Sequence, residues 1–162
     1  PKYCAGMDML DHRDRKILDL LQADSSIAVS DLADRVSLSV SACSRRIQRL
    51  EEEGYIARRV VLLDRPVMGL PTTMFVIVRT ARHSADWLEQ FRAAIIDIPE
   101  IVEVHRMTGT FDYILKLVLP RVEAYDGIYK ALVEKVEFFD ISASVSMETL
   151  KATTALPTRY AR

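Results

Sequence analysis

The stretch SLSVSACSRRIQRLEEEGYI, residues 37 to 56, concentrates the side chains best suited to recognising a partner. Coiled as an α-helix, it sets Ser41, Ser44, Arg45 and Gln48 at i, i+3, i+4 and i+7, on one face. Cys43, Ile47 and Leu50 fall at i, i+4 and i+7 on another. Short hydroxyl and amide groups beside one guanidinium are the donors that hydrogen-bond base edges in the major groove of double-stranded DNA. Arg46 and Arg49 flank that face and suit phosphates, and Ser39 opens the segment as a capping residue or contact. A polar face on an amphipathic helix is more often simply solvated, so the assignment depends on the surroundings of the helix.

Charge sharpens the choice. The chain carries a formal net charge of −1, and residues 1–65 balance 11 Lys/Arg against 11 Asp/Glu. Residues 39–50 nevertheless hold three arginines and no acid, and Arg58 and Arg59 follow. Local distribution decides anion binding more than the sum does. Acids at Glu51, Glu52 and Glu53 lie at the far end of the helix, where a duplex need not reach.

Other chemistries find little support. Cys4 and Cys43 form neither a close pair nor a disulfide framework, and Cys43 sits in an apolar register. His12, His83 and His105 lack metal-ligand spacing, so neither a metal site nor a catalytic site is expected. Nearly half the residues are apolar (49%) and about a quarter charged (28%), the balance of a globular protein. Apolar runs such as Met74 to Val78 fall far short of the roughly 20 residues of a membrane helix. No signal-peptide pattern opens the sequence, which argues for a cytoplasmic protein without a membrane partner.

The elements that must position the recognition face come next. Asp11 is placed to cap a first helix through Ile17, Leu18 and Leu21. Ser30 is placed to cap a brief second helix carrying Leu32, Ala33 and Val36. Ser39 or Ser41 caps the third, and Gly54 suits its C′ position. Three helices with a tight turn before the last predict a winged helix-turn-helix over residues 1–56. IARRVVLLD then reads as an extended strand, and DRPVMGLP as a boundary, giving a strand and hinge linker over 57–71. The first domain is small, so this strand is expected to pack on it or pair with a neighbouring chain.

Residues 72–162 alternate strand and helix patterns in the order βαββαβ, followed by a tail, which predicts a ferredoxin-like domain. The first helix, capped by Ser84, is expected to bury Trp87, Leu88, Phe91 and Ile95. The second carries Val122, Tyr125, Tyr129, Leu132 and Val136 at helical spacing. The last strand is ISASVSMETL, with Ile141, Ala143, Val145 and Met147 alternating with polar residues. The first strand is apolar on both sides (Met74, Val76 and Val78; Phe75 and Ile77), yet two helices cover only one sheet face. A second copy is therefore expected on the other, making a homodimer whose two reading heads span two half-sites.

The ordered set LDHRDRKILDLL, DLADRVSLSVSACSRRIQRLEEEGYI, LDRPVMGL, TGTFDYILKL and LKATTALP resembles the leucine-responsive/asparagine regulator (Lrp/AsnC) family over residues 10–157. The resemblance implies a transcription factor with an N-terminal DNA reader. Its C-terminal domain would bind an amino-acid effector and assemble dimers, often octamers, with no other cofactor. It implies an effector site between dimers at the loop Met107, Thr108, Gly109, Thr110, Phe111 and Asp112. Gly109 permits close backbone approach, exposed amides suit a carboxylate, and Asp112 suits an α-ammonium. A plain β-turn explains Gly109 and Asp112 as well, and Tyr113 reads as sheet packing. Many relatives carry threonine near the position of Ala143; here Ser142 and Ser144 stand beside it as candidate polar contacts, which leaves the effector's identity open.

Two other classes are weighed. A small enzyme on the ferredoxin-like domain, its helical part a dimerisation arm, would draw on Glu103, His105 and Asp112, but no nucleophile-plus-base motif, phosphate loop or metal cluster accompanies them. Binding of structured RNA lacks an aromatic stacking platform beside the basic patch.

Overall fold

The computed structural model describes residues 10–80 and 82–161, so Cys4 lies outside the described residues. The chain divides into two compact units: residues up to Val61 together with those from Lys151 onward, and Leu62–Leu150. The tail, grouped by sequence with the C-terminal domain, thus packs with the N-terminal unit.

In the first unit, α1 spans His12–Ala23, α2 Val29–Arg35 and α3 Val40–Glu52. Asp11 caps α1: its carboxylate accepts the Asp14 N–H at 2.8 Å, and Asp14 accepts the Asp11 N–H at 3.1 Å, a reciprocal capping box. Ser39 caps α3 by accepting the Ala42 N–H at 3.2 Å. The expected cap on α2 differs. That helix starts from Ala28 without a side-chain cap, and Ser30 lies inside it. Burial of Leu32, Ala33 and Val36 sets its register, outweighing the roughly 1 kcal/mol that a serine cap supplies. Ser37 adopts φ +54° in the turn before α3, and Gly54 adopts φ +81° just beyond it. Leu10, Ile17, Leu18, Leu32, Val36, Cys43, Ile47 and Leu50 form one buried core. The tail seats on α1, where the Gln22 side chain both donates to and accepts from the Leu156 backbone, at 3.1 and 2.6 Å.

The IARRVVLLD segment forms no strand and joins no ladder among the described residues. Val61, Leu62 and Leu63 are 85%, 69% and 64% exposed. A strand exists through its hydrogen-bonded neighbour, and the described residues offer the segment none.

The second unit runs β1 Thr72–Arg79, α4 Ala85–Ile96, β2 Ile101–Arg106, β3 Tyr113–Leu119, a 3₁₀ turn Val122–Ala124, α5 Tyr125–Lys135 and β4 Asp140–Val145. The sheet order β2-β3-β1-β4, antiparallel throughout, is that of the expected ferredoxin-like fold. Met74, Val76, Val78, Leu115 and Leu117 pack with Trp87, Phe91, Ala94, Ile128 and Leu132 of the two helices. Trp87 stacks on Phe91 with centroids 5.0 Å apart, Tyr113 tilts against both at 5.7 and 4.9 Å, and Trp87 Nε1–H donates to the Glu137 carbonyl at 2.7 Å.

Three sequence expectations shift in detail. In α4, Ala94 is buried while Leu88 and Ile95 are only partly so. In α5, Ile128 and Leu132 face the core and Tyr129 is exposed, because the chain enters through the 3₁₀ turn and the helical phase starts afresh at Tyr125. β4 stops at Val145, leaving Met147 almost wholly exposed; the Ser146 N–H still donates to the Thr73 carbonyl at 2.9 Å, but the Ser146 hydroxyl turns to the Glu148 carbonyl at 3.0 Å and the chain leaves the ladder.

Candidate functional site

The outward face of α3 is built by its own core stripe. Cys43, Ile47 and Leu50 are buried against α1 and α2, which turns Ser41, Ser44, Arg45 and Gln48 to solvent. Arg45 has no ion-pair partner among the described residues. Ser39 and Ser41 hydroxyls lie 3.3 Å apart, and Gln48 Nε2 donates to Glu52 Oε1 at 2.8 Å. Among the described residues no group of three or more His, Cys, Asp or Glu is arranged to hold a metal, and no helix is long and apolar enough to cross a membrane.

Arg46 and Arg49, expected to flank the reading face and suit phosphates, are half-buried and pair with acids at the start of α1. Arg46 Nη1 is 2.7 Å from both Asp11 Oδ2 and Asp14 Oδ1, and Arg49 Nη2 is 2.6 Å from Asp14 Oδ2. Asp14 is 1% exposed. Its hydrogen bonds hold Arg46 above the usual guanidinium range, aided by Asp11 and opposed by partial burial. Burial raises the Asp11 pKa, but the Asp14 N–H and Arg46 outweigh it and leave the carboxyl below its ordinary value. Sequence reasoning missed Asp14. The available signal was an acid in the apolar register of α1, three residues before Ile17 and four before Leu18.

The 107–112 loop links β2 to β3. It is closed by the Met107 N–H donating to the Asp112 carbonyl at 2.8 Å. Thr108, Gly109 and Thr110 are exposed, and Phe111 and Asp112 half-buried. Gly109 has φ +115°, and a Cβ built there meets nothing within 4 Å. Asp112 braces the end of β1: Oδ2 accepts the Thr80 N–H at 2.8 Å, the Asp112 N–H reaches the Val78 carbonyl at 2.9 Å, and Oδ1 lies 4.0 Å from His83 Nδ1. A cavity of about 150 Å³ near this loop is lined by Thr80, Arg82, His83, Trp87, Arg106 and Tyr113, among others.

Ser142 and Ser144 are exposed on β4, opposite Ile77 and Phe75 of β1. β1 lies between β4 and β3, so one protomer separates these serines from the loop by an intervening strand. Glu103, opposite Lys116, donates no catalytic dyad: it is held below the usual carboxylate range first by Lys116 at 2.6 Å and then by His105, as an ordinary cross-strand pair.

Comparison with known proteins agrees with both units. The family model described as Lrp/AsnC ligand binding domain matches residues 73–156, and that described as winged helix-turn-helix DNA-binding matches residues 10–57. The HTH-type transcriptional regulator Zrp of Zymomonas mobilis is 59% identical over 94% of this chain and 99% of its own. A crystal structure of an AsnC family transcriptional regulator from Agrobacterium tumefaciens is 48% identical, covers 93% of this chain and 99% of its own, and superposes with a TM-score of 0.89. A transcriptional regulator from Neisseria meningitidis in complex with L-Met is 30% identical, covers 93% and 98%, and superposes with a TM-score of 0.88. These relatives are regulators rather than enzymes. The chain belongs to the Lrp/AsnC family of DNA-binding transcriptional regulators.

Proposed function

We propose that the chain reads duplex DNA through Ser41, Ser44, Arg45 and Gln48, with Ser39 beside them, and responds to an amino acid taken at the 107–112 loop. The observation that carries the reading assignment is Arg45, an exposed guanidinium without an ion-pair partner among the described residues, at the centre of a face its own core stripe turns outward. A guanidinium donates to both O6 and N7 of guanine, which a phosphate contact does not require.

The effector class follows from the L-Met complex of the Neisseria regulator. In this chain the exposed amides around Gly109 suit a carboxylate, and Asp112 Oδ1 suits an ammonium, since Oδ2 is committed to Thr80. Ser142 and Ser144 would join such a site from another protomer. Homodimers form through the open sheet face, where Phe75 is 37% exposed beside Ile77 and Ile114, and join further toward an octamer. Effector binding between dimers changes assembly or head spacing, and by linkage changes DNA affinity.

The test is affinity for a duplex enriched by the wild-type chain from a random-sequence pool, against a scrambled duplex. Arg45→Ala is expected to lose about 1 to 3 kcal/mol of discrimination. Equal losses on both duplexes would remove Arg45 from base reading.

A further inference from the structure

We propose that Asp14 is the positioning residue of the DNA reader: it clamps Arg46 and Arg49, fixes the rotation of α3 about its axis, and thereby withdraws both arginines from phosphate contact. The inference rests on the reading assignment above.

The argument starts from the cost of burying a charge. A carboxylate 1% exposed is tolerable only when paired and hydrogen-bonded. Both Asp14 oxygens are occupied, Oδ1 by Arg46 at 2.7 Å and Oδ2 by Arg49 at 2.6 Å and by the Asp11 N–H at 3.1 Å. An arginine that left for a phosphate would take one of that carboxylate's two charged partners from it in the interior. Arg46 is held a second time, by Asp11 at 2.7 Å. Two guanidiniums face the carboxylates of Asp11 and Asp14, with Glu53 a third acid 4.0 Å from Arg49, so the patch carries no net positive charge and releases few counterions on binding.

Geometry makes the clamp a matter of aim. Arg46 and Arg49 are one turn apart on α3 and converge on a single carboxylate of α1. With side chains about 5 Å from the helix axis, a 10° rotation of α3 moves them by about 1 Å. A shift of that size lengthens or bends bonds of 2.6–2.7 Å, and two of them on one carboxylate resist it together. The same rotation would swing Ser41, Ser44, Arg45 and Gln48 away from the base edges they face.

The experiment uses the full chain, the enriched and scrambled duplexes, and a salt series followed by fluorescence anisotropy. A wild-type chain without preference overturns the reading and the proposal with it. Given that preference, Arg49→Ala is expected to keep the wild-type salt slope on scrambled DNA while the enriched-to-scrambled ratio falls tenfold or more. Asp14→Asn is expected to lower the ratio similarly and to steepen the slope, because two freed guanidiniums then reach phosphates. A slope for Arg49→Ala shallower by about 0.9 would assign Arg49 to a phosphate and overturn the proposal. So would equal weakening on both duplexes, the signature of a merely structural role. Should Asp14→Asn not fold by circular dichroism, Arg46→Lys keeps the charge but loses the planar fork. A lowered ratio at constant slope in that variant supports the clamp, and an unchanged ratio overturns it.

Discussion

Asp11 acts twice at the start of α1, capping the helix through Asp14 N–H and pairing with Arg46 at 2.7 Å. Its carboxyl is held below the ordinary value of 3.8, so its charge contributes stability that is complete above that value. The contribution is lost as pH falls through the folded-state pKa, and solvent screening keeps it small at a side chain 48% exposed. Asparagine caps as well as aspartate but carries no charge. Asp11→Asn is therefore expected to flatten the dependence of the urea midpoint on pH below about 4, with little loss from the cap itself. An unchanged acid limb would assign the acid sensitivity to other carboxylates. At this scale the core positions Cys43, Ile47 and Leu50 were legible from spacing, because burial follows helical period. The pairing of Arg46 and Arg49 was not, since their partner lies on α1, 32 and 35 residues away.

Among the elements, the 107–112 loop is the one whose backbone bears most directly on a ligand. Gly109 at φ +115° lies where a β-branched residue is strained by about 1 to 3 kcal/mol, although the space around it is open. Gly109→Val is expected to abolish any shift of light-scattering mass on titration with amino acids, while leaving the dimer mass intact. A retained shift would move the effector site away from this loop. The turn itself was legible from TGT between two apolar runs. That Asp112 braces the end of β1 was not, because Thr80 and Val78 are distant in sequence and reach it only once β1 and β3 pair. β4 likewise ends at Val145 although the apolar alternation in the sequence continues to Met147.

For the whole molecule, the open sheet face and the hinge leave apolar surface that one chain does not cover. Phe75 and Ile77 face away from both helices, and Val61, Leu62 and Leu63 are largely exposed. Large apolar side chains exposed on an uncovered sheet face suit an interface, although Lys116, Ser142 and Ser144 interrupt them here. Phe75→Asp is expected to convert the proposed dimer to a monomer in light scattering, with the thermal melt lowered by dissociation rather than by loss of the core. A dimer that persists would place the interface elsewhere, the hinge being the next surface to test.

The sequence by itself determined the three N-terminal helices and the βαββαβ order that follows, because helical and strand periods, caps and turns are local properties of consecutive residues. It also determined which face of α3 turns outward, since a core stripe leaves its opposite side no other direction. Only the tertiary structure decided that Arg46 and Arg49 belong to Asp14 and that the tail from Lys151 returns to the N-terminal unit. Those outcomes rest on distances between residues far apart in the chain, and a one-dimensional pattern carries charge and spacing but not which charge meets which.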